Sequence, residues 1–247
     1  MTLDLSKYPD LVSRDIREGD KPNELLLFDH GFVRLDSAMA DDLSVVNSAR
    51  VSFAVRKEEM DDRDMGLIRF LMRAAHGSPF EHNSFRFHIR CPIFVVREWM
   101  RHRVSSFNEE SARYHQLEAD FYVPEVHNVR SQVGKPGAYS FEPVDDDLAN
   151  ETRGRFEQIY REVYKEYEEM LEQGVAKEVA RAILPVGIYT QFYWTVNARS
   201  MMNFLALRNA ESAQYEIRTY AKAVERLFAE RMPLTHECFV EFGRTCP

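Results

Sequence analysis

The sequence has no glycine-rich loop of the kind that holds phosphate. Neither G-x-G-x-x-G nor G-x-x-x-x-G-K-[ST] occurs in its 247 residues, of which only 10 are glycine. Such loops bring backbone N–H groups and a helix N-terminus to the phosphate in Rossmann and P-loop proteins. A nucleotide site in this chain would therefore use side-chain donors.

Cysteine is also scarce. The three residues Cys91, Cys238 and Cys246 share no metal-ligand spacing, and an odd number in a chain of this length does not indicate a disulfide framework. None lies in an Arg- or His-rich setting that would lower a thiol pKa. We interpret them as buried or incidental thiols without a catalytic role.

Metal-ligand motifs are missing as well. His76, His82 and His88 recur at intervals of six, but two ligands on one helix lie at i and i+4, and Pro79 interrupts any common helix. The sequence therefore predicts no metal site.

Long apolar runs and an excess of basic charge are absent too. No segment approaches the roughly 18 uninterrupted apolar residues of a membrane-spanning helix, and the first residues lack a basic region followed by an apolar one. The net charge of −8 argues against the broad basic footprint of a nucleic-acid or membrane-surface binder. Together with the cysteine pattern, these absences lead us to expect a cytoplasmic protein. A chain with 45 % hydrophobic residues can bury a sizeable core, and we expect one large domain.

One short segment reverses the acidic balance. Between positions 101 and 113 the chain places Arg101, His102, Arg103 and Arg113 beside hydroxyl and amide side chains. Guanidinium groups match phosphate oxygens in pairs, so the segment is typical of a polyphosphate or nucleotide site. The alternative is a solvated helix end in which nearby carboxylates neutralise the arginines; these are Glu98, Glu109 and Glu110.

Hydrophobic periodicity predicts several helices and two strands. Helices are expected over 41–50, 58–75, 93–100, 148–173, 178–184, 197–208 and 213–230, and strands over 85–91 and 188–196. Two helices have a predicted core-facing stripe, namely Met65, Ile68, Leu71, Met72 and Ala75 in the second, and Phe156, Ile159, Tyr160, Val163, Tyr167 and Leu171 in the fourth. Gly174 is a predicted C-cap and Asn197 a predicted N-cap.

Positions 124–147 are rich in proline and glycine and are predicted to be a loop, for which the sequence suggests no function. The irregular order of helices and strands indicates an α+β fold.

Four segments together resemble one enzyme family. Arg101-His102-Arg103 followed after seven residues by Ser111 is similar to the RHR-x7-S signature of the flavin-dependent thymidylate synthases. The blocks 49–53, 76–82 and 197–208 resemble family blocks in the same order, so the likeness covers about residues 31–242. It implies an antiparallel sheet packed by long helices, with residues 1–30 as an N-terminal extension and 31–247 as a single catalytic domain. It also implies a homotetramer whose active sites lie between subunits.

The resemblance implies a specific reaction of nucleotide biosynthesis. A thymidylate synthase of this kind converts dUMP to dTMP, takes the carbon from methylenetetrahydrofolate, and uses FAD reduced by NADPH as the hydride source. Flavin carries the redox chemistry, so no cysteine nucleophile is needed. The alternative is a non-catalytic FAD- or nucleotide-binding regulator in which the same arginines sense dUMP or a dinucleotide.

The resemblance also implies site residues. FAD would contact Ser78, Glu81, Arg101, His102, Arg103, Glu109, Asn197, Arg199 and Asn203, with His76 near the flavin and folate. The substrate dUMP would contact Glu98, Arg101, Glu109, Glu110, Ser111, Arg113, Arg181 and Arg208.

Two of these residues have other interpretations, and one further position departs from the family pattern. Ser111 near an imidazole could be a nucleophile, although its neighbours are suited to binding. Arg208, implied to act on the pyrimidine as a catalytic cation, could simply offset the dipole of its helix. Ser212 stands where the family commonly has a histidine, so the contact made by that histidine is in doubt.

Overall fold

Helices and strands alternate irregularly along the chain in the computed structural model, which describes residues 3–247. The strands are β1 Ile16–Glu18, β2 Glu24–Leu27, β3 Gly31–Met39, β4 Ser84–Pro92, β5 Ser106–Glu109, β6 Arg130–Lys135, β7 Ala138–Pro143 and β8 Tyr189–Asn197. The helices are α1 Asp42–Arg50, α2 Asp62–Arg73, α3 Ser78–Glu81, α4 Ile93–Trp99, α5 Asp146–Glu172, α6 Lys177–Ala180, α7 Ala198–Arg208, α8 Tyr215–Arg231 and α9 Pro233–Glu241. Short 3₁₀ turns lie at Leu5–Lys7, Pro9–Leu11, Val51–Phe53, Val126–Asn128 and Arg181–Ile183. The predicted α+β class is confirmed.

The chain divides into two compact units. Unit 1 comprises Met1–Cys91, Val95–Glu109 and Gln191–Pro247, and unit 2 comprises Pro92–Phe94 and Glu110–Thr190. Within residues 3–247, no helix is long and apolar enough to cross a membrane.

Unit 1 is built on a six-stranded sheet in the order β1-β2-β3-β4-β8-β5. The pairs β1–β2, β2–β3, β3–β4 and β5–β8 are antiparallel. Two of these strands, β1 and β2, come from the segment expected to be an N-terminal extension. Sequence patterning also missed β3 and the short strand β5, which is the edge of the sheet beside β8.

The strand predicted over 85–91 is confirmed as β4. Phe85, Phe87, Ile89 and Cys91 are fully buried on one face, as the alternation of apolar and polar residues indicated. Phe85 lies edge-on to Phe228 of α8, with ring centroids 6.0 Å apart. This face of the sheet is therefore the core of unit 1.

An aromatic cluster fixes α4 against α7. Trp99, the last residue of α4, stacks on Phe204 of α7 at 4.7 Å and meets Trp194 of β8 edge-on at 5.3 Å. All three side chains are fully buried, and such rings interlock in few orientations. The segment that follows Trp99 is consequently held beside α7.

Two helix predictions in unit 1 need correction. The predicted helix 58–75 is shorter, because Asp61 caps the N-terminus of α2 and Ala75 lies beyond its end, exposed and with φ +54. The final helix predicted over 213–230 is α8, and a further helix, α9, follows it. The carboxylate of Asp42 accepts the backbone N–H groups of Leu234 and Thr235, both at 2.9 Å. This cap from a distant part of the chain was invisible to local patterning.

Unit 2 contains the longest helix and a small core of its own. That core consists of Ala112, Leu117, Phe121, Tyr160 and Ile188. Tyr160 of α5 stacks on Phe121 with centroids 4.6 Å apart.

The predicted inward stripe of α5 is partly wrong. Of the predicted stripe, Tyr160 and Tyr167 are buried, whereas Phe156 is 36 % exposed and Ile159 is 55 % exposed. The side of α5 that faces the core of unit 2 is therefore narrower than the stripe formed by its apolar residues. The C-cap of α5 is Gln173 rather than the predicted Gly174, which follows it with φ +85, a value that favours glycine after a helix.

The loop predicted over 124–147 contains a β-hairpin. Strands β6 and β7 pair antiparallel, with Gly134 opposite Tyr139 and Lys135 opposite Ala138. Gly134 and Gly137 have φ values of +107 and +86 at the turn, which favour glycine. Almost every residue of the hairpin is exposed, so it has no alternation of buried and exposed positions for sequence reading to detect.

Candidate flavin and nucleotide site

A cleft of about 810 Å³ opens in unit 1 where the segment after α4 faces the start of α7. Its walls are Glu81, Arg101, His102, Arg103, Val104, Val196, Asn197, Arg199, Ser200, Asn203, Leu207, Arg208 and Cys246. Seven of the nine residues expected to contact FAD are in this set, while Ser78 and Glu109 are not. The cleft lies in the size range of small-molecule sites, about 300–1,000 Å³.

Arg101 and Arg103 are exposed at this cleft with their guanidinium groups uncommitted. Neither makes a hydrogen bond or an ion pair with any of residues 3–247. The neighbouring carboxylate of Glu98 pairs instead with Arg208. These two arginines therefore do not form a salt-bridged helix end, and both can donate hydrogen bonds to an anion.

The N-terminus of α7 borders the same cleft. The side-chain oxygen of Asn197 accepts the backbone N–H of Ser200 at 2.8 Å, which confirms the predicted N-cap. The positive end of the helix dipole is thereby presented to the cleft, where it favours negative charge. Asn203 lies farther along the helix with its side chain exposed.

Arg199 is held from two sides at the start of α7. Its Nη1 pairs with Glu81 Oε1 at 2.8 Å, and its Nε donates to the carbonyl oxygen of Pro247 at 2.7 Å. The thiol of Cys246 donates to the carbonyl oxygen of Arg199 at 3.3 Å. A Cβ at Gly77 would lie 2.2 Å from Arg199 Nε, so the missing side chain there makes room for this arginine.

Arg208 is fixed at the other end of α7 by three hydrogen bonds. Its Nη1 donates to Glu98 Oε2 at 3.0 Å, its Nη2 to the Glu98 carbonyl oxygen at 3.2 Å, and its Nε to His102 Nε2 at 3.0 Å. Its side chain is 18 % exposed. A guanidinium has five N–H donors, so two remain for a ligand. Arg208 therefore contacts both α4 and the segment after it, in addition to lying in the last turn of α7.

His102 is an uncharged acceptor in this arrangement. Burial, together with the positive charges of Arg208 and Arg101, lowers the pKa of His102 to about 4. Because Nε2 accepts from Arg208, the single ring proton belongs on Nδ1. Burial also raises the pKa of Glu98, against the opposing attraction of Arg208.

The residues expected at the dUMP phosphate lie in unit 2. Ser111 Oγ accepts the backbone N–H of Arg113 at 3.4 Å, and Arg113 Nε pairs with Glu178 Oε2 at 3.2 Å. Arg181 is exposed in the 3₁₀ turn after α6. Among residues 3–247 no imidazole is hydrogen-bonded to Ser111, so the base that a serine nucleophile needs is not provided there.

The remaining predicted positions are not among the residues that line the cleft. His76 is exposed and lies edge-on to Phe70 at 5.5 Å. Glu109 ends β5, and Glu110 lies 3.4 Å from His115. Ser212 is exposed in the turn between α7 and α8.

The thiols are not poised for nucleophilic attack. Burial raises the pKa of Cys91 well above its ordinary value and that of Cys238 to about 11, and it also raises the pKa of Cys246. All three are therefore protonated at neutral pH. In the described part of the chain, no three His, Cys, Asp or Glu side chains are grouped to bind a metal ion.

Sequence reasoning missed several residues that line the cleft or support its walls. Gly77 was part of a recognised block, but its role of making room for Arg199 depends on the position of that arginine. Cys246 lines the cleft and Pro247 accepts a hydrogen bond from Arg199, and nothing in their local sequence indicates either contact. Val104 and Leu207 carry no chemical group that would mark them as binding residues.

Comparisons with known proteins agree on one family. The family model described as "Thymidylate synthase complementing protein" matches residues 34–234. The flavin-dependent thymidylate synthase of Kosmotoga olearia is 44 % identical over 222 residues, covering 90 % of this chain and 95 % of that protein. That of Thermosipho africanus is 45 % identical over 220 residues, covering 89 % and 95 %.

A solved structure agrees as well. The UMP/dUMP methylase PolB from Streptomyces cacaoi, bound with 5-Br UMP, superposes with a TM-score of 0.82 at 43 % identity, covering 88 % of this chain and 96 % of that one. Family model, sequence relatives and fold all agree with the motifs around the cleft. This chain belongs to the flavin-dependent thymidylate synthases.

Proposed function

We propose that the protein methylates dUMP to dTMP, with FAD bound in the cleft of unit 1, methylenetetrahydrofolate as the carbon donor and NADPH as the reductant. The observation that carries this proposal is the convergence of Arg101, Arg103 and the N-terminus of α7 on one cleft. Two uncommitted guanidinium groups and a helix N-terminus suit the pyrophosphate of a dinucleotide.

The remaining cleft residues suit the rest of FAD. Asn197, Arg199 and Asn203 offer polar groups along α7 for the adenosine part, and Glu81 holds Arg199 in place. Ser78, Glu109 and His76 are proposed as further contacts of the flavin side. Reduced flavin supplies the hydride.

Arg208 is proposed to act on the pyrimidine. Its guanidinium is held by Glu98 and by the neutral imidazole of His102, with two N–H groups left over. A cation fixed in this way stabilises negative charge that develops at N3 and O4 when hydride reaches the ring. Because His102 accepts a hydrogen bond and carries no charge, it orients Arg208 without weakening its field.

The phosphate of dUMP is proposed to bind Ser111, Arg113 and Arg181, with Glu109 and Glu110 nearby. Arg113 would exchange its exposed pair with Glu178 for the phosphate, a small cost because exposed ion pairs contribute roughly 0–1 kcal/mol. Arg101 and Glu98 would face the same nucleotide. We further propose residues 31–247 as one catalytic domain in a cytoplasmic homotetramer with active sites between subunits, as the family resemblance implies.

Tritium release from C5-labelled dUMP tests the reaction. The purified chain, reconstituted with FAD, should release tritium and form dTMP when methylenetetrahydrofolate and NADPH are present. UMP is a necessary comparison, because the Streptomyces cacaoi relative is described as a UMP/dUMP methylase. Flavin and dUMP binding without tritium release would instead support a non-catalytic regulator.

A further inference from the structure

A buried carboxylate lies behind the end of α7 that carries Arg208. Glu225 of α8 is fully buried, and its Oε2 accepts the side-chain Nδ2 of Asn209 at 2.7 Å. Its Oε1 accepts from His236 Nε2 at 3.0 Å and from Arg244 Nε at 2.8 Å. A buried carboxylate is tolerated only when its oxygens are well satisfied, and here three donors meet both of them.

Asn209 is the residue that directly follows Arg208. It is the C-cap of α7, and its backbone N–H closes the last turn on the carbonyl oxygen of Leu205 at 2.9 Å. Its φ of −93 is not a left-handed value, so no backbone requirement selects asparagine there. The side-chain bond to Glu225 is the interaction that the structure gives this amide.

The guanidinium of Arg208 needs this end of the helix to stay in place. Its three hydrogen bonds to Glu98 and His102 measure 3.0–3.2 Å. A displacement of the guanidinium by about 1 Å would take these three bonds beyond hydrogen-bonding range. Misplacing a catalytic group by that distance can lower the reaction rate by a factor on the order of 10².

We propose that Glu225 is a positioning residue for the reaction: through Asn209 it fixes the C-terminal end of α7 and so the orientation of the Arg208 guanidinium. The inference rests on the function proposed for Arg208. Glu225 itself touches neither the cleft walls nor any reacting group, and it acts by holding its neighbour's side chain.

Exchanging the two partners tests the proposal. Asn209→Asp places a carboxylate against the buried carboxylate of Glu225, so it should displace the end of α7 and lower kcat on the order of tenfold or more. The double variant Asn209→Asp/Glu225→Gln has the charge of the original pair and again offers one amide donor to one carboxylate. It should recover most of kcat, with FAD content and the dissociation constant of dUMP unchanged throughout.

A stability control separates positioning from general weakening. Val33→Ala removes buried volume from β3, where Val33 pairs with Leu25 and Ile89, and should lower the melting temperature without lowering kcat at 25 °C. If the double variant is no more active than Asn209→Asp, or if Val33→Ala lowers kcat equally at equal melting temperature, the proposal is overturned.

Two further measurements keep the test decisive. If Asn209→Asp does not fold, Asn209→Ala replaces it, and a kcat equal to that of the unmodified protein refutes the inference. Crystal structures of the variants report the distance between Arg208 Nε and His102 Nε2 independently of turnover. Lack of tritium release by the unmodified protein would refute the proposed function alone, whereas an unmoved Arg208 guanidinium in Asn209→Asp would refute the positioning role.

Discussion

Replacing Arg208 by lysine retains the positive charge and removes the planar set of donors. The lysine ammonium can retain the contact with the Glu98 carboxylate, but it cannot also reach the Glu98 carbonyl oxygen and His102 Nε2, which Arg208 contacts at 3.2 and 3.0 Å. A cation with one contact in place of three is no longer held in one orientation.

The expected loss is in the transition state. Removing one preorganised donor to a developing anion costs on the order of 10² to 10³ in kcat, or about 2.7–4 kcal/mol. We expect Arg208→Lys to lower kcat by about 10² while the dissociation constant of dUMP and the flavin content stay unchanged, because other groups are proposed to hold the phosphates. The assay is steady-state dTMP formation with direct titration of dUMP.

Arg155→Lys is the matched control. Arg155 lies on α5, its side chain is 72 % exposed, and its partner is Glu151 one helical turn away. The same chemical change there should leave kcat unaltered. An unchanged kcat in Arg208→Lys, with only a raised dissociation constant for dUMP, would show that Arg208 is a binding residue. That result would refute its proposed role in stabilising negative charge in the transition state.

Three other predictions follow from the site. Arg101→Ala and Arg103→Ala should each weaken FAD binding, because each removes charge-assisted hydrogen bonds worth roughly 1.5–3 kcal/mol. Absorbance at 450 nm per subunit after gel filtration measures the bound flavin, and full flavin occupancy at unchanged affinity would contradict the prediction. Ser111→Ala should weaken dUMP binding and retain turnover at saturating dUMP. Complete loss of turnover with both substrates bound would instead indicate that Ser111 acts as a nucleophile. The imidazole of His102, with its pKa lowered to about 4, should not titrate between pH 5 and 8 by NMR. The unfolded chain takes up this proton near pH 6.5 and the native chain only near 4, so the free energy of unfolding should fall as the pH drops across that interval, and His102→Gln should remove this contribution.

Local patterns predicted the parts of the fold that depend on local rules. The alternation in β4 and the Asn197 cap of α7 are each determined within a few residues of the sequence. Features that depend on distant partners were not predictable. The N-terminus of α9 is capped by Asp42, and the exposed β6–β7 hairpin buries no face that would give it a period of two.

The candidate site shows the same limit. The arginine cluster was visible because unusual charge density is a local property, and the family resemblance then suggested roles for Arg101 and Arg208. The contacts of Arg208 with Glu98 and His102 join residues more than 90 positions apart. Such contacts depend on the packing of α4 against α7, which the sequence does not reveal. The bond between Asn209 and Glu225 was missed because both look like ordinary helix residues.

The order in which the chain is synthesised determines when the sheet and the cleft can be completed. Strand β4 lies beside β8 in the sheet, yet the whole of β6, β7 and α5 is synthesised between them. At about 5–20 residues per second the ribosome needs roughly 5–20 s for a stretch of that length, during which one edge and the apolar face of β4 await their partners. The last wall of the cleft, Cys246, emerges later still. FAD bound in this cleft, as proposed, would stabilise a chain that already includes α7 and Cys246. Added FAD should therefore raise the yield of folded protein without shortening the interval in which β4 lacks β8.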